Sequence, residues 1–196
     1  MENFDDLIKI KSNNIRPRPG KILISEPFLY DYYFHRSVIL LAEHNKDGSF
    51  GVIINKPLSM GFDQVVKDFP YYDATVYLGG PVSTDSLFFI HTAGDAIESS
   101  LQIMDGLYWG GDLEQVKSLI KVGQLHEGNI RFFVGYSGWS PKQLDNELKR
   151  DSWAVSSLDA EQVMNSNPSE LWKSSLNRLG KEYSKWTNFP SEPGLN

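Results

Sequence analysis

The sequence predicts a single α+β domain, and three observations carry that prediction. Runs of β-forming residues follow one another between Ile22 and Met104, segments with helical spacing gather after Asp112, and no repeat or linker-like stretch interrupts residues 20–180. At 196 residues with 40% hydrophobic content, the chain is long enough for one well-covered core and short for two. Its 11 Phe, 9 Tyr and 5 Trp supply large apolar areas to that core. The expected organisation is a lead-in over residues 1–19, a domain over 20–180 and a tail over 181–196.

The elements follow in order. Pro17 and Pro19 fix φ before Gly20 releases the chain into a strand at Ile22–Ser25. The aromatic segment 28–34 is expected to pack over the sheet edge as an irregular turn or short helix. Ser37–Ala42 and Phe50–Ile54 are nearly continuous apolar β-formers joined by a turn containing Asp47-Gly48, so they predict a central hairpin covered on both faces. Phe62, Val65, Val66 and Phe69 predict a helix over 61–69, stopped by Pro70. Strands are expected at Thr75–Leu78, Leu87–His91 and Ser100–Met104. Asp112 caps a helix whose stripe is Leu113, Val116, Leu119 and Ile120, ended by Gly123. Ile130–Gly135 reads as a strand, and Ser140-Pro141-Lys142-Gln143 as the capped start of a helix over 141–150. A short strand at Trp153–Val155, a helix at Asp159–Met164 and a final helix opened by Asn167-Pro168 complete the pattern.

Composition excludes several chemistries. Without cysteine there are no disulfides, thiolate metal sites, iron–sulfur clusters or cysteine nucleophiles. The opening Met1-Glu2-Asn3-Phe4-Asp5-Asp6 is acidic where a signal peptide carries positive charge, and the longest apolar run, Val38–Ala42, is far below the roughly 20 residues that span a bilayer. A cytoplasmic protein without a membrane segment is expected. A formal charge of −6 opposes general attraction to nucleic-acid phosphates, although Lys9, Lys11, Arg16, Arg18 and Lys21 near the start and Lys173, Arg178, Lys181 and Lys185 near the end make basic stretches.

Four segments, in this order, carry a resemblance: Phe34-His35-Arg36-Ser37-Val38-Ile39-Leu40-Leu41-Ala42-Glu43-His44, Gly51-Val52-Ile53-Ile54-Asn55-Lys56-Pro57, Gly79-Gly80-Pro81-Val82, and 131–144 around Gly135-Tyr136-Ser137-Gly138-Trp139. Together they resemble the bacterial YqgE/AlgH family (UPF0301, DUF179). The resemblance implies a bulged, strongly curved mixed or antiparallel sheet flanked by helices, a cytosolic location and no agreed catalytic residues. Some members carry the label of a transcriptional regulator of exopolysaccharide production, which describes a pathway effect rather than a DNA contact.

The residues themselves favour recognition over bond breaking. Ser137 lies between a strand and a helix, as in a nucleophile elbow, but Trp139 stands where that motif needs glycine. The histidines 35, 44, 91 and 126 contain no pair spaced for metal, and no Walker loop or dinucleotide fingerprint occurs. No metal or cofactor is implied. The turns at Gly110-Gly111-Asp112 and Gly138-Trp139-Ser140 present backbone N–H groups at helix starts, able to hold a small anion unless side chains cap them. The expected binding site is a groove drawing on Arg36, His44, Asn55, Lys56, Gly79, Gly80, Gly135, Ser137, Gly138 and Trp139, receiving a protein segment or small ligand. Two alternatives are a hydrolase using Ser137 with His44 or His91, and nucleic-acid binding through the basic termini.

Overall fold

A computed structural model of the chain describes residues 13–29 and 31–189. Most of the expected lead-in, with Lys9 and Lys11, and residues 190–196 of the tail lie outside the described residues, as does Tyr30.

Among the described residues ten strands form one open, mixed sheet: β1 (Lys21–Ser25), β2 (Val38–Asn45), β3 (Gly48–Ile53), β4 (Pro57–Gly61), β5 (Thr75–Leu78), β6 (Val82–His91), β7 (Leu101–Met104), β8 (Leu107–Trp109), β9 (Ile130–Trp139) and β10 (Trp153–Ser157). The spatial order is β10-β1-β2-β3-β9-β6-β8-β7, with β5 also on β9 and β4 on β5. Every pairing is antiparallel except β5 with β9, where Val76 faces Phe132. The helices are α1 (Phe62–Val65), α2 (Leu113–Lys121), α3 (Gln143–Lys149), α4 (Ala160–Asn165), α5 (Pro168–Arg178) and α6 (Lys181–Ser184).

The β2–β3 hairpin is central and covered on both faces, as its unbroken apolar run requires. Val38, Leu40, Val52 and Ile54 point to one core, shared with Leu171, Trp172 and Leu176 of α5. Ile39, Leu41 and Ile53 point to the other, shared with Leu144 and Leu148 of α3. Fully buried aliphatic side chains of this kind each contribute about 1.5–3 kcal/mol. A register shift between Leu41 and Glu43 bulges the hairpin midway along β2. A third core, with Val116 and Ile120 of α2, closes over Phe89 and Phe132.

Several elements differ from the sequence-based expectation. The helix expected over 61–69 is one turn, because Phe62, Phe69 and Tyr72 all turn their rings onto Phe132, at centroid distances of 5.0, 5.8 and 5.9 Å. A nine-residue helix has little stability of its own to resist that pull. β6 begins at Val82 and β9 runs on to Trp139, so Gly135 is an irregularity inside a strand rather than its end. Helix α3 starts at Gln143, since Lys142 takes the left-handed conformation at φ 63°. The Gln143 side chain still accepts the Ser140 N–H at 3.0 Å. Strand β8 lacked a sequence signal beyond the Asp105-Gly106 turn before it. Past Gly180 the chain forms α6 and a 3₁₀ turn over Lys185–Asn188, and Trp186 is buried in the core beneath α5.

Candidate functional site

Strand β9 changes partner along one edge. Phe132–Val134 pair with β5, whereas Ser137–Trp139 pair with β3. At that seam three segments of the chain meet within backbone distance. The Gly79 carbonyl accepts the Ile53 N–H at 2.9 Å and the Ser137 hydroxyl at 3.0 Å, while the Gly79 N–H donates to Val134. A β-carbon on Gly79 would stand 2.1 Å from the Gly135 carbonyl oxygen, and one on Gly135, at φ 68°, would stand 2.5 Å from that of Gly80. These glycines let strands touch where no side chain fits. Ser137, fully buried, spends its hydroxyl on the same seam.

Arg36, Asn55 and Lys56 gather elsewhere, around the start of β2. The Asn55 side chain accepts the Val38 N–H at 2.8 Å and donates to the Arg36 carbonyl at 2.9 Å, stapling β2 to the end of β3. Arg36 lies 4.9 Å over the Trp172 ring and donates to the Phe189 carbonyl. Burial lowers its pKa. The Lys56 ammonium reaches the Tyr32 carbonyl at 3.4 Å; burial lowers its pKa, with Asp31 opposing.

The histidines are committed locally. His44 Nδ1 sits 2.7 Å from the Ser49 hydroxyl. His91 is fully buried; its Nδ1 accepts the Ala93 N–H at 3.2 Å, so the proton resides on Nε2, facing the Ser100 hydroxyl at 2.9 Å and the Gly110 carbonyl at 3.1 Å. Burial lowers the His91 pKa, opposed by the bond to Gly110. Among the described residues no group of three His, Asp or Glu could hold a metal ion. The helix-start donors are partly occupied too, since the Asp112 carboxylate caps Gln115 and Ser140 N–H is bound by Gln143.

A cleft of about 660 Å³ lies at the turn end of the β2–β3 hairpin. Four strands adjacent in the sheet each turn one half-buried aromatic into it: Phe50 from β3, Tyr136 from β9, Phe88 from β6 and Trp109 from β8. The rings form a closed circuit, with centroid separations of 6.2 Å for Phe50–Tyr136, 5.5 Å for Tyr136–Phe88, 5.8 Å for Phe88–Trp109 and 5.3 Å for Trp109–Phe50. On a flat sheet β3 and β8 would lie about 14 Å apart. The curl of the sheet and the reach of the side chains together bring the ends of the row into contact. Opposite Phe50 in the ladder stands Gly138, where a β-carbon would press on the Tyr136 ring at 3.1 Å. Glu43, Asn45, Asp47 and Ser140 supply the polar rim.

Of the expected site residues, Gly138 and Trp139 line this cleft. Trp139 shows it only an edge, because its ring is buried and its indole N–H donates to Glu147 at 2.8 Å, as does that of Trp153. The four floor rings were not singled out by sequence reasoning. Their only signal was the presence of aromatic residues on these four strands, which core packing also produces.

A family model described as AlgH-like (DUF179) matches residues 22–184. The chain belongs to that family. Among the AlgH-like relatives, a UPF0301 protein of Bacteroides fragilis is 46% identical over 97% of both chains. A UPF0301 protein of Cytophaga hutchinsonii is 44% identical over 90% of this chain and 98% of its own. The solution structure of the AlgH protein of Pseudomonas aeruginosa superposes with a TM-score of 0.71 at 27% identity, covering 92% of this chain and 98% of that one. A crystal structure of a Corynebacterium diphtheriae protein shares the fold, with a TM-score of 0.73 at 22% identity over 92% and 95% of the two chains. The bulged, open mixed sheet with flanking helices is thus an AlgH-like fold. No described helix is long and apolar enough to cross a membrane.

Proposed function

We propose that this protein is a non-catalytic binding module of the bacterial cytoplasm, and that its ligand occupies the four-ring cleft. One observation carries the reading: four neighbouring strands leave their aromatic side chains half exposed in a cleft of about 660 Å³, beside a glycine that keeps the space open. Large apolar surface left uncovered in a concavity is the ordinary make-up of a ligand site. The nearest thing to a nucleophile, Ser137, is sealed in the sheet. A regulatory effect on transcription would then pass through this ligand rather than through DNA, in keeping with the net charge of −6.

Amide NMR spectra recorded against a set of small aromatic fragments test the reading. Binding that shifts Gly48–Phe50 and Gly138–Trp139, and that disappears in Phe88→Ala, supports it. Fragments that bind only at other surfaces, or at none, defeat it.

A further inference from the structure

The charge around the cleft is one-sided. Among the described residues its lining contains two carboxylates, Glu43 and Asp47, together with Asn45, Ser49 and Ser140, and no Lys, Arg or His. Lys46 and Lys142 adjoin lining residues in sequence, but neither is part of the lining itself. Glu43 accepts the Asn45 side-chain N–H, which leaves its second oxygen available. Neither carboxylate is ion-paired among the described residues. The floor, meanwhile, is made of the aromatic rings of Phe50, Phe88, Trp109 and Tyr136.

Resting on the binding-module reading, we infer that the occupant of this cleft is an extended basic peptide segment, anchored by a lysine or arginine laid across the aromatic floor with its cation toward Glu43 and Asp47. The chemistry of the surface selects that partner. A π face attracts a cation without hydrogen-bonding it, and long aliphatic stems of Lys and Arg cover apolar rings while their charged ends reach the rim. Carboxylates at that rim complete the attraction and repel acidic competitors. The volume of about 660 Å³ exceeds what one ammonium group fills, leaving room for flanking residues of the same segment. The floor rings pack against one another at 5.3–6.2 Å, so the cation rests over the floor rather than inside a cage. The net charge of −6 favours approach of a basic partner over an acidic one.

The test uses the full chain and four defined probes, followed by amide NMR and tryptophan fluorescence at low and moderate salt. They are a blocked pentapeptide with two lysines separated by leucine, its norleucine analogue, its glutamate analogue, and free butylammonium. The lysine peptide is expected to saturate shifts at Gly48–Phe50 and Gly138–Trp139, at least about tenfold more tightly than the norleucine or glutamate peptides. Its affinity should fall with salt, and by about fivefold in the Glu43→Gln/Asp47→Asn double variant, whose isosteric surface changes leave the fold and its spectrum intact. Equal binding of the norleucine peptide overturns the cationic assignment while leaving an apolar ligand site. Equal binding of butylammonium overturns the peptide in favour of a small amine. Binding of the lysine peptide that ignores both variant and salt, or maps elsewhere, overturns the inference outright; silence of the cleft toward peptides and aromatic fragments alike removes the binding-module reading with it.

Discussion

One face of the sheet is treated in two ways along its length. Toward β1 and β2 it is sealed: Trp172 of α5 is buried with its indole N–H on the Ser25 carbonyl at 3.0 Å, Arg36 lies across the other side of that ring, and Trp186 closes the margin. Toward β8 the same face carries Phe50, Phe88, Trp109 and Tyr136 half-buried, with no helix among the described residues lining the cleft above them. Both regions spend aromatic side chains, but only the first converts them into full burial. On the binding-module reading, the second keeps its rings open for a ligand and forgoes several kilocalories of burial that the first obtains.

The largest effect is expected where the two regions join. Gly135→Ala places a β-carbon against the Gly80 carbonyl in a left-handed backbone, and should cost about 4 kcal/mol or prevent folding. Urea denaturation measures it; a loss below about 1 kcal/mol would mean that the seam is looser than its contacts imply. Next, Trp172→Ala in the sealed region should cost about 3–5 kcal/mol, whereas Trp109→Ala in the open region should cost about 1 kcal/mol and instead weaken ligand binding. Equal losses would erase the distinction between the regions.

The smallest effect concerns His91, which locks the β6–β8 edge behind Trp109. Its folded pKa lies below the unfolded value of about 6.5, so the unfolded chain takes up the proton first. The stability His91 contributes is therefore complete above about pH 6.5 and is lost as pH falls toward the folded pKa. In His91→Gln the slope of stability below about pH 6.5 should flatten relative to wild type. An unchanged slope assigns the acid sensitivity to other groups.

Much of this architecture was legible from residue order. The β2–β3 hairpin declared itself through unbroken apolar runs about Asp47-Gly48, α2 and α5 through Asp112 and Asn167 caps that the structure reproduces. Local signals of this kind act within a few residues, so they survive in the sequence. What failed was non-local. Gly135 reads as a strand end by its neighbours, and only the approach of Gly79 and Gly80 explains why β9 passes through it. The cleft is harder still, because Phe50 and Trp109 lie far apart in the chain and meet through curvature that no local pattern encodes. Arg36, Asn55 and Lys56, expected in one groove with Gly138 and Trp139, serve the other end of β2 instead.

Strand β9 has a consequence for the order of events during synthesis. It bonds to β3, β5 and β6, all of which leave the ribosome well before it, and β1 likewise waits for β10 to complete its pairing. Until residue 139 has emerged, the nascent chain holds three unjoined sheet fragments with exposed edges. Its assembly is thus weighted toward the end of translation, in the slower range that distant strand pairing imposes.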